Sequence, residues 1–198
     1  MINKEECLRI IASQRTDEVV ITTMGTSVPW AKISTHPLDY ASVGSAMGHA
    51  ADLALGIALA RSDKKVVVLN GDGSMLMCLG TLATITGLDK LPSNYILFVC
   101  DNGTYEVTGN QPVPRNPNLS WITIAEGIGF QEVHEFDEIE ILQANLPKIW
   151  NKTGPIFVSL KIQQANEPPP DRWGGFKYPY LQETLATSTH NLRKSLLM

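Results

Sequence analysis

Two uninterrupted apolar runs are the features that most constrain the fold of this chain. Residues 66–69 read VVVL and residues 95–100 read YILFVC. Neither run alternates with polar residues, as a strand with one face in water would. Parallel strands covered by helices on both faces carry such runs. Because helical patterns lie between the runs, the sequence predicts an α/β fold, a doubly wound parallel sheet with helices on both faces.

Turn signals divide the chain into alternating segments. The predicted strands cover residues 18–23, 65–70, 95–100, 129–134 and 155–162. The predicted helices cover residues 3–14, 46–60, 74–86, 121–127 and 137–150. A later stretch, EPPPDRWGGFKYPY, cannot continue a helix or a strand. We therefore expect one domain over residues 1–165 and a C-terminal arm over residues 166–198.

Charge and composition narrow the possible functions. A net charge of −4 provides no basic field, so nucleic acid is not an expected partner. The cysteines Cys7, Cys78 and Cys100 are too scattered for a metal-binding or disulfide pattern. The N-terminus has no signal-peptide core, and no apolar run reaches about 18 residues. These features predict a cytoplasmic protein without a membrane partner.

Three loops follow predicted strands at the edge of the sheet where ligands collect in open parallel folds. They read Met24-Gly25-Thr26-Ser27, Gly71-Asp72-Gly73-Ser74 and Asp101-Asn102-Gly103-Thr104. Thr26, Ser27 and Ser74 are typical helix-start residues, and a helix start offers free backbone N–H groups to an anion. The sequence thus predicts an anion site at this edge.

The two standard phosphate motifs do not match these loops. A dinucleotide fingerprint needs a third glycine where the chain has Leu76, and a Walker loop needs a lysine after its glycines. Neither the Gly25 loop nor the Gly73 loop contains Lys or Arg. A phosphate bound here would therefore need a metal ion as its source of positive charge.

Asp72, Asn102 and the backbone carbonyl of Thr104 can supply that metal site. Mg²⁺ prefers hard oxygen ligands and commonly joins one or two carboxylates to substrate phosphates. Each turn sequence alone is ordinary turn chemistry. Their combination, about thirty residues apart at two strand ends, is far more specific.

GDGS followed by Asn102-Gly103-Thr104 resembles the thiamine diphosphate motif, in which GDG precedes an asparagine by 25 to 30 residues. The resemblance covers about residues 18–162 and is to the diphosphate-binding domain of the decarboxylase branch of thiamine enzymes. It implies that thiamine diphosphate and Mg²⁺ are the cofactors, with Asp72, Asn102 and Thr104 as metal ligands. The implied cofactor contacts are Gly25, Thr26, Ser27, Ser45, Ala46, Met47, Gly71, Asp72, Gly73, Ser74, Asn102, Thr104 and Tyr105.

The resemblance also implies two catalytic positions, Met47 and His49. Met47 would be the apolar wedge that holds the cofactor bent, and the Ser45 carbonyl would accept from the amino group of the cofactor. His49 would face the substrate, although a helix-start histidine with no catalytic role remains an alternative. Glu106, Thr108, Asn110 and Gln111 follow the metal loop and can either wall a substrate pocket or cap the next turn.

VGSAMGHAADLALGIALA and TGNQP most resemble the phosphonopyruvate decarboxylases and the beta subunit of the sulfopyruvate decarboxylases. In such enzymes the glutamate that activates the pyrimidine ring comes from a second domain. Glu126-Gly127 resembles that glutamate only superficially. The resemblance therefore implies a split 2-oxo acid decarboxylase that releases an aldehyde, with a pyrimidine-binding partner subunit in a hetero- or homo-oligomer.

Three alternatives to this function remain open. An acetolactate-synthase-like carboligase uses the same cofactor. A ferredoxin-coupled oxidoreductase subunit is disfavoured because the chain lacks cluster cysteines. A non-catalytic thiamine diphosphate-binding module would bind the cofactor without turnover.

Overall fold

A parallel sheet forms the centre of the molecule. The computed structural model describes residues 1–42, 47–166 and 179–198, without the side chains of Pro179 and Tyr180. Within these residues six parallel strands form one sheet in the order β2-β1-β3-β4-β8-β7, and β5 and β6 form a separate antiparallel hairpin. The strands are β1 (Val19–Thr22), β2 (Asp39–Ala41), β3 (Val66–Gly71), β4 (Tyr95–Asp101), β5 (Thr104–Tyr105), β6 (Gln111–Pro112), β7 (Glu132–Phe136) and β8 (Ile156–Lys161).

Helices cover both faces of this sheet. The helices are α1 (Lys4–Gln14), α2 (Met24–Ala31), α3 (Ala50–Ala60), α4 (Asp72–Met77), α5 (Gly80–Thr86), α6 (Trp121–Ile128), α7 (Ile139–Trp150), α8 (Pro179–Gln182) and α9 (Leu185–Leu196). One core cluster packs helices α3, α4, α5 and α6 against one face of the sheet. A second cluster packs α1, α2 and α7 against the other face. The doubly wound α/β fold predicted from the sequence is confirmed.

The apolar runs are buried on both faces of the sheet, as their unbroken apolar pattern predicted. In β3, Val66 and Val68 belong to one core cluster, whereas Val67 and Leu69 belong to the other. All four are fully buried. An alternation of side chains between two buried faces leaves no position for a polar residue.

Several predicted boundaries are wrong. The helix predicted over residues 74–86 is two helices, because Cys78 leaves the helical conformation at φ −128° and ψ 46°. The helix predicted from residue 46 begins at Ala50, after a turn in which Gly48 has φ 90°. The strand predicted over residues 129–134 begins at Glu132, because Gly129 ends α6 in the left-handed conformation.

The two ends of the described chain pack against the sheet at different places. Ile2 pairs in parallel with Ile162 just beyond β8, which places the first residues of α1 at the carboxyl edge. Leu192 of α9 is buried against the core, and Thr189 lies 3.1 Å from the hydroxyl of Tyr40 in β2. Of the helices described, none has the length and apolar character needed to cross a membrane.

Candidate functional site

The carboxyl ends of β1, β3 and β4 open into one pocket. The three loops singled out in the sequence meet there, because the carboxyl ends of parallel neighbours share an edge. The sequence-predicted site residues that line this pocket are Gly25, Thr26, Met47, His49, Gly71, Asp72, Gly73, Ser74, Asn102, Thr104 and Tyr105.

One predicted residue, Ser27, is placed differently. Ser27 is buried outside the pocket lining, and its hydroxyl donates to the Thr23 carbonyl at 2.7 Å. Ser45 and Ala46 lie outside the described residues. Thr26 lines the pocket, but its hydroxyl donates to the Leu69 carbonyl at 2.8 Å and so helps to anchor the start of α2 on β3.

Asp72 begins α4 with a side chain that is only 2% exposed. Its Oδ2 accepts from the Gly103 N–H at 2.9 Å and lies 3.5 Å from Nη1 of Arg115. Burial, together with the nearby carboxylate of Asp101, raises the pKa of Asp72 to about 6. A buried carboxylate whose charged form is disfavoured in this way is stabilised by an added cation.

Asp101, which precedes Asn102, is buried and paired with two cations. Its side chain is 3% exposed and pairs with Lys161 and Arg115, each at 2.7 Å. Burial alone would raise its pKa, but these two cations hold the pKa of Asp101 below its usual value. Asp101 is therefore a charged partner within the protein, whereas Asp72 lines the pocket.

Asn102 is held by hydrogen bonds at both ends of its carboxamide. Its Oδ1 accepts from the Thr104 N–H at 3.0 Å, and its Nδ2 donates to Oε2 of Glu106 at 3.1 Å. Glu106 forms a buried ion pair with Lys4, the first residue of α1. Lys4 and Arg115 could not be assigned to this site from the sequence, because no local pattern connects either residue to the metal loop.

The cations at this edge are already paired within the protein. Four carboxylates face three cations, in ion pairs that join Lys4 to Glu106, Arg115 to Asp72 and Asp101, and Lys161 to Asp101 and Glu135. An added diphosphate would therefore leave the pocket with excess negative charge. The site fits a diphosphate only if a cation accompanies it.

The donor atoms suit Mg²⁺. Asp72 and Asn102 offer a carboxylate and a carboxamide, and the Thr104 carbonyl is a third hard oxygen that phosphate and water oxygens can complement. Across the described ranges, no group of three or more His, Cys, Asp or Glu side chains could hold a metal ion. The predicted ligand set contains one carboxylate and does not require such a group. An ideal Cβ on Gly71 would have no heavy atom within 4 Å, so the pocket has open space beside these donors.

Met47 and His49 lie at the pocket mouth in the turn before α3. Met47 is 65% exposed, so it is not a core residue. Nδ1 of His49 lies 2.5 Å from Oδ2 of Asp52, and its Nε2 lies 3.5 Å from Sγ of Cys78. The turn fits closely over Cys78, because a Cβ on Gly48 would lie 2.7 Å from that sulfur.

Other residues singled out in the sequence have separate positions. Thr108 lines the pocket, and Asn110 accepts from the Thr104 hydroxyl at 2.9 Å. Gln111 pairs with Thr108 at the exposed side of the hairpin. Glu126 is exposed on α6 and does not line the pocket.

Comparison with known proteins matches this geometry to one family. The C-terminal TPP binding domain of thiamine pyrophosphate enzymes matches residues 22–160. Sulfopyruvate decarboxylase subunit beta of Methanothermobacter thermautotrophicus is 32% identical over 167 residues, which are 84% of this chain and 85% of that protein. Phosphonopyruvate decarboxylase of Streptomyces viridochromogenes is 33% identical over 159 residues, 80% of this chain and 39% of that one.

Solved structures share the fold at lower identity. The 4-hydroxybenzoylformate decarboxylase of Rhodococcus jostii superimposes with a TM-score of 0.69 at 18% identity, over 84% of this chain and 33% of that one. Benzoylformate decarboxylase of Polynucleobacter necessarius gives 0.69 at 17% identity, over 83% and 34%. This chain thus spans about a third of these enzymes.

The resemblance that the sequence motifs indicated is confirmed by the family match and by the curated relatives. The match also spans the three loops at the carboxyl edge. The chain therefore belongs to the thiamine pyrophosphate enzymes and carries their C-terminal TPP binding domain.

Proposed function

We propose that this chain is the diphosphate-binding subunit of a decarboxylase that depends on thiamine diphosphate and Mg²⁺. Its substrate is a small 2-oxo acid of the sulfopyruvate or phosphonopyruvate type, and its product is an aldehyde. Curated relatives with these activities support the substrate class. The observation that carries the proposal is the meeting of Asp72, Asn102 and Thr104 in one pocket whose neighbouring cations are already paired with carboxylates.

Asp72, Asn102 and the Thr104 carbonyl would hold Mg²⁺, and the metal would carry the diphosphate. Gly71 and Gly73 allow close approach of the backbone at the same place, and Ser74 lines the pocket beside them. When bound, thiamine diphosphate supplies the electron sink for the carbanion that forms as CO₂ leaves.

Met47 would hold the cofactor in its reactive shape from the pocket mouth. Its high exposure leaves its side chain available for a ligand, and the turn beneath it is fixed by the close fit of Gly48 over Cys78. His49 would lie on the substrate side, with its ring oriented by Asp52. Ser45 and Ala46 remain proposed cofactor contacts in the preceding segment.

The activating glutamate would come from a partner chain that carries a pyrimidine-binding domain. Among the described residues that line the pocket, the carboxylates are those of Asp72 and Glu106. Both are buried and already paired with cations. The names of the curated beta subunits support a partner. We extend the proposal to an oligomer in the cytoplasm, with residues 166–198 as an arm on the 1–165 domain.

Calorimetry of the full chain with thiamine diphosphate tests this proposal. The wild type should bind the cofactor only when Mg²⁺ is present. Asp72→Asn should nearly abolish that binding, because a neutral ligand leaves the diphosphate charge poorly balanced. Asp89→Asn makes the same change at an exposed site outside the pocket and should bind as the wild type does. Unchanged affinity in Asp72→Asn would contradict the metal assignment.

A further inference from the structure

We propose that Glu106, held by Lys4, is a positioning residue that orients the carboxamide of Asn102 for the metal site. This inference rests on the proposed function, because it takes Asn102 as a metal ligand. The feature that leads to it is a buried ion pair in the pocket wall. The pair joins the first residue of α1 to the 3-10 turn over Glu106–Thr108.

Packing alone does not explain the Lys4–Glu106 pair, because burying two charged groups costs free energy of hydration. The side chains are 6% and 3% exposed, so both charges have lost most of their hydration. Buried ion pairs commonly add little stability compared with apolar residues of similar volume. Lys4 also places a positive charge at the N-terminus of a helix, where the helix dipole disfavours it. Neither helix stability nor core packing accounts for a lysine here.

The geometry of Glu106 gives the pair a different role. Its Oε2 accepts from Lys4 and also from Nδ2 of Asn102. A carboxylate only accepts hydrogen bonds, so it requires the NH₂ group of Asn102 on its own side. The Thr104 N–H only donates, and it lies 3.0 Å from Oδ1 of Asn102. Together these two neighbours leave one orientation of the amide, with its oxygen directed away from Glu106.

That orientation matters for a cation. A flipped carboxamide would present an NH₂ group where an oxygen ligand is needed, and the donor hydrogens would repel the metal. Groups that orient metal ligands from outside the coordination sphere commonly affect metal affinity by roughly 10–100-fold when they are mutated.

Two sets of variants separate this role from a purely structural one. The double variant Lys4→Met/Glu106→Leu replaces the buried pair with apolar residues, so the apo protein should keep a thermal midpoint near that of the wild type. Lys4→Met alone should lower the midpoint, because it leaves a buried carboxylate without its cation. It should nevertheless keep Mg²⁺ affinity, because Glu106 still accepts from Asn102.

The measurement is a Mg²⁺ titration of the full chain at fixed thiamine diphosphate by calorimetry, with the apo thermal midpoint recorded in parallel. In the double variant the apparent Kd for Mg²⁺ should rise by roughly 10–100-fold. Saturating Mg²⁺ should restore cofactor binding. Glu106→Gln, which keeps an acceptor oxygen, should retain affinity close to the wild type and remains informative if the double variant does not fold.

The matched control is the exposed ion pair between Glu5, also on α1, and Lys32, which follows α2. The two charged groups are 2.5 Å apart, with about 40% exposure on each side. Glu5→Leu/Lys32→Met should leave Mg²⁺ affinity unchanged.

A double variant at Lys4 and Glu106 with wild-type Mg²⁺ affinity would overturn this inference alone. A loss in Lys4→Met as large as that in the double variant would assign the effect to the lysine and overturn the role of Glu106. Loss of Mg²⁺ affinity in Glu106→Gln as large as in the double variant would also overturn it. Cofactor binding by the wild type without Mg²⁺ would overturn the proposed function as well.

Discussion

Gly73 leaves no room for a side chain beside the metal loop. A Cβ at this position would lie 2.4 Å from Cε1 of Tyr105, and the ring stands on the hairpin that follows Asn102. A Cβ on Gly71, two residues earlier, would have no heavy atom within 4 Å. The two glycines of the GDG turn therefore have different physical roles.

Gly73→Ala should destabilise the protein by about 1–3 kcal/mol, the usual range for overpacking a closely fitted site. Gly71→Ala makes the same chemical change in open space and should stay within about 0.5 kcal/mol of the wild type. Urea unfolding of the two apo variants measures both effects. Equal losses would mean that the contact between Gly73 and Tyr105 does not constrain the loop.

Some individual residues of the site could be predicted from the sequence, and others could not. Asp72 and Asn102 stand out because each follows an apolar strand and their spacing fits neighbouring parallel strands. Lys4 could not be identified, since its partner Glu106 lies 102 residues away. Contacts of this kind depend on where the end of the chain packs against the sheet, and no local sequence pattern predicts that position.

Among the secondary-structure elements, the buried strands were predictable and the short ones were not. β3 and β4 follow from runs that have no polar position. β2 has only three residues, DYA, and its burial depends on α9 and on β1 as neighbours. The break between α4 and α5 was missed because Met75, Leu76 and Leu79 maintain an apolar pattern across it. Cys78, where the break falls, contacts the distant turn before α3 through Met47 and His49, and no local pattern predicts such a contact.

The connection from α2 to β2 gives a pH-dependent prediction. Nδ1 of His36 accepts from the Leu38 N–H at 3.1 Å and lies 3.1 Å from Nη2 of Arg15. Burial and then the Arg15 charge lower the pKa of His36, while Asp39, Asp17 and Glu18 oppose this shift. The native ring therefore stays neutral at pH values where the unfolded chain, with a histidine pKa of about 6.5, takes up a proton.

Below that pH the unfolded state binds a proton at His36 that the native state does not, so the contribution of His36 should lower the free energy of unfolding as the pH drops from about 7 to 5. His36→Asn keeps an acceptor for the same donors but does not titrate, so its free energy of unfolding should rise relative to that of the wild type as the pH drops over this range. His190→Asn, an exposed change on α9, should follow the wild-type slope. Denaturant unfolding at several pH values gives the slopes. A His36→Asn slope equal to that of the wild type would exclude His36 as a source of the pH dependence.

Across the whole molecule, one side of the proposed cofactor site is provided by this chain and the other is open. The metal donors and the closely fitted Gly73 lie at the base of the pocket, where charges are buried and paired. At its mouth Met47 and Met77 are 65% and 44% exposed. Adjacent exposed apolar side chains around a polar pocket commonly mark a surface that another protein covers.

This arrangement predicts that the chain alone is inactive and gains activity from a partner. The isolated protein should release no CO₂ from 2-oxo acids, because the described pocket has no unpaired carboxylate to activate the pyrimidine ring. Adding a chain with a pyrimidine-binding domain should produce CO₂ and an aldehyde in equal amounts. A partner variant with an amide in place of its activating carboxylate should bind this chain equally well but remove turnover. Decarboxylation by the isolated chain at an ordinary enzyme rate, about 1 s⁻¹ or faster, would show that the site is complete without a second type of chain.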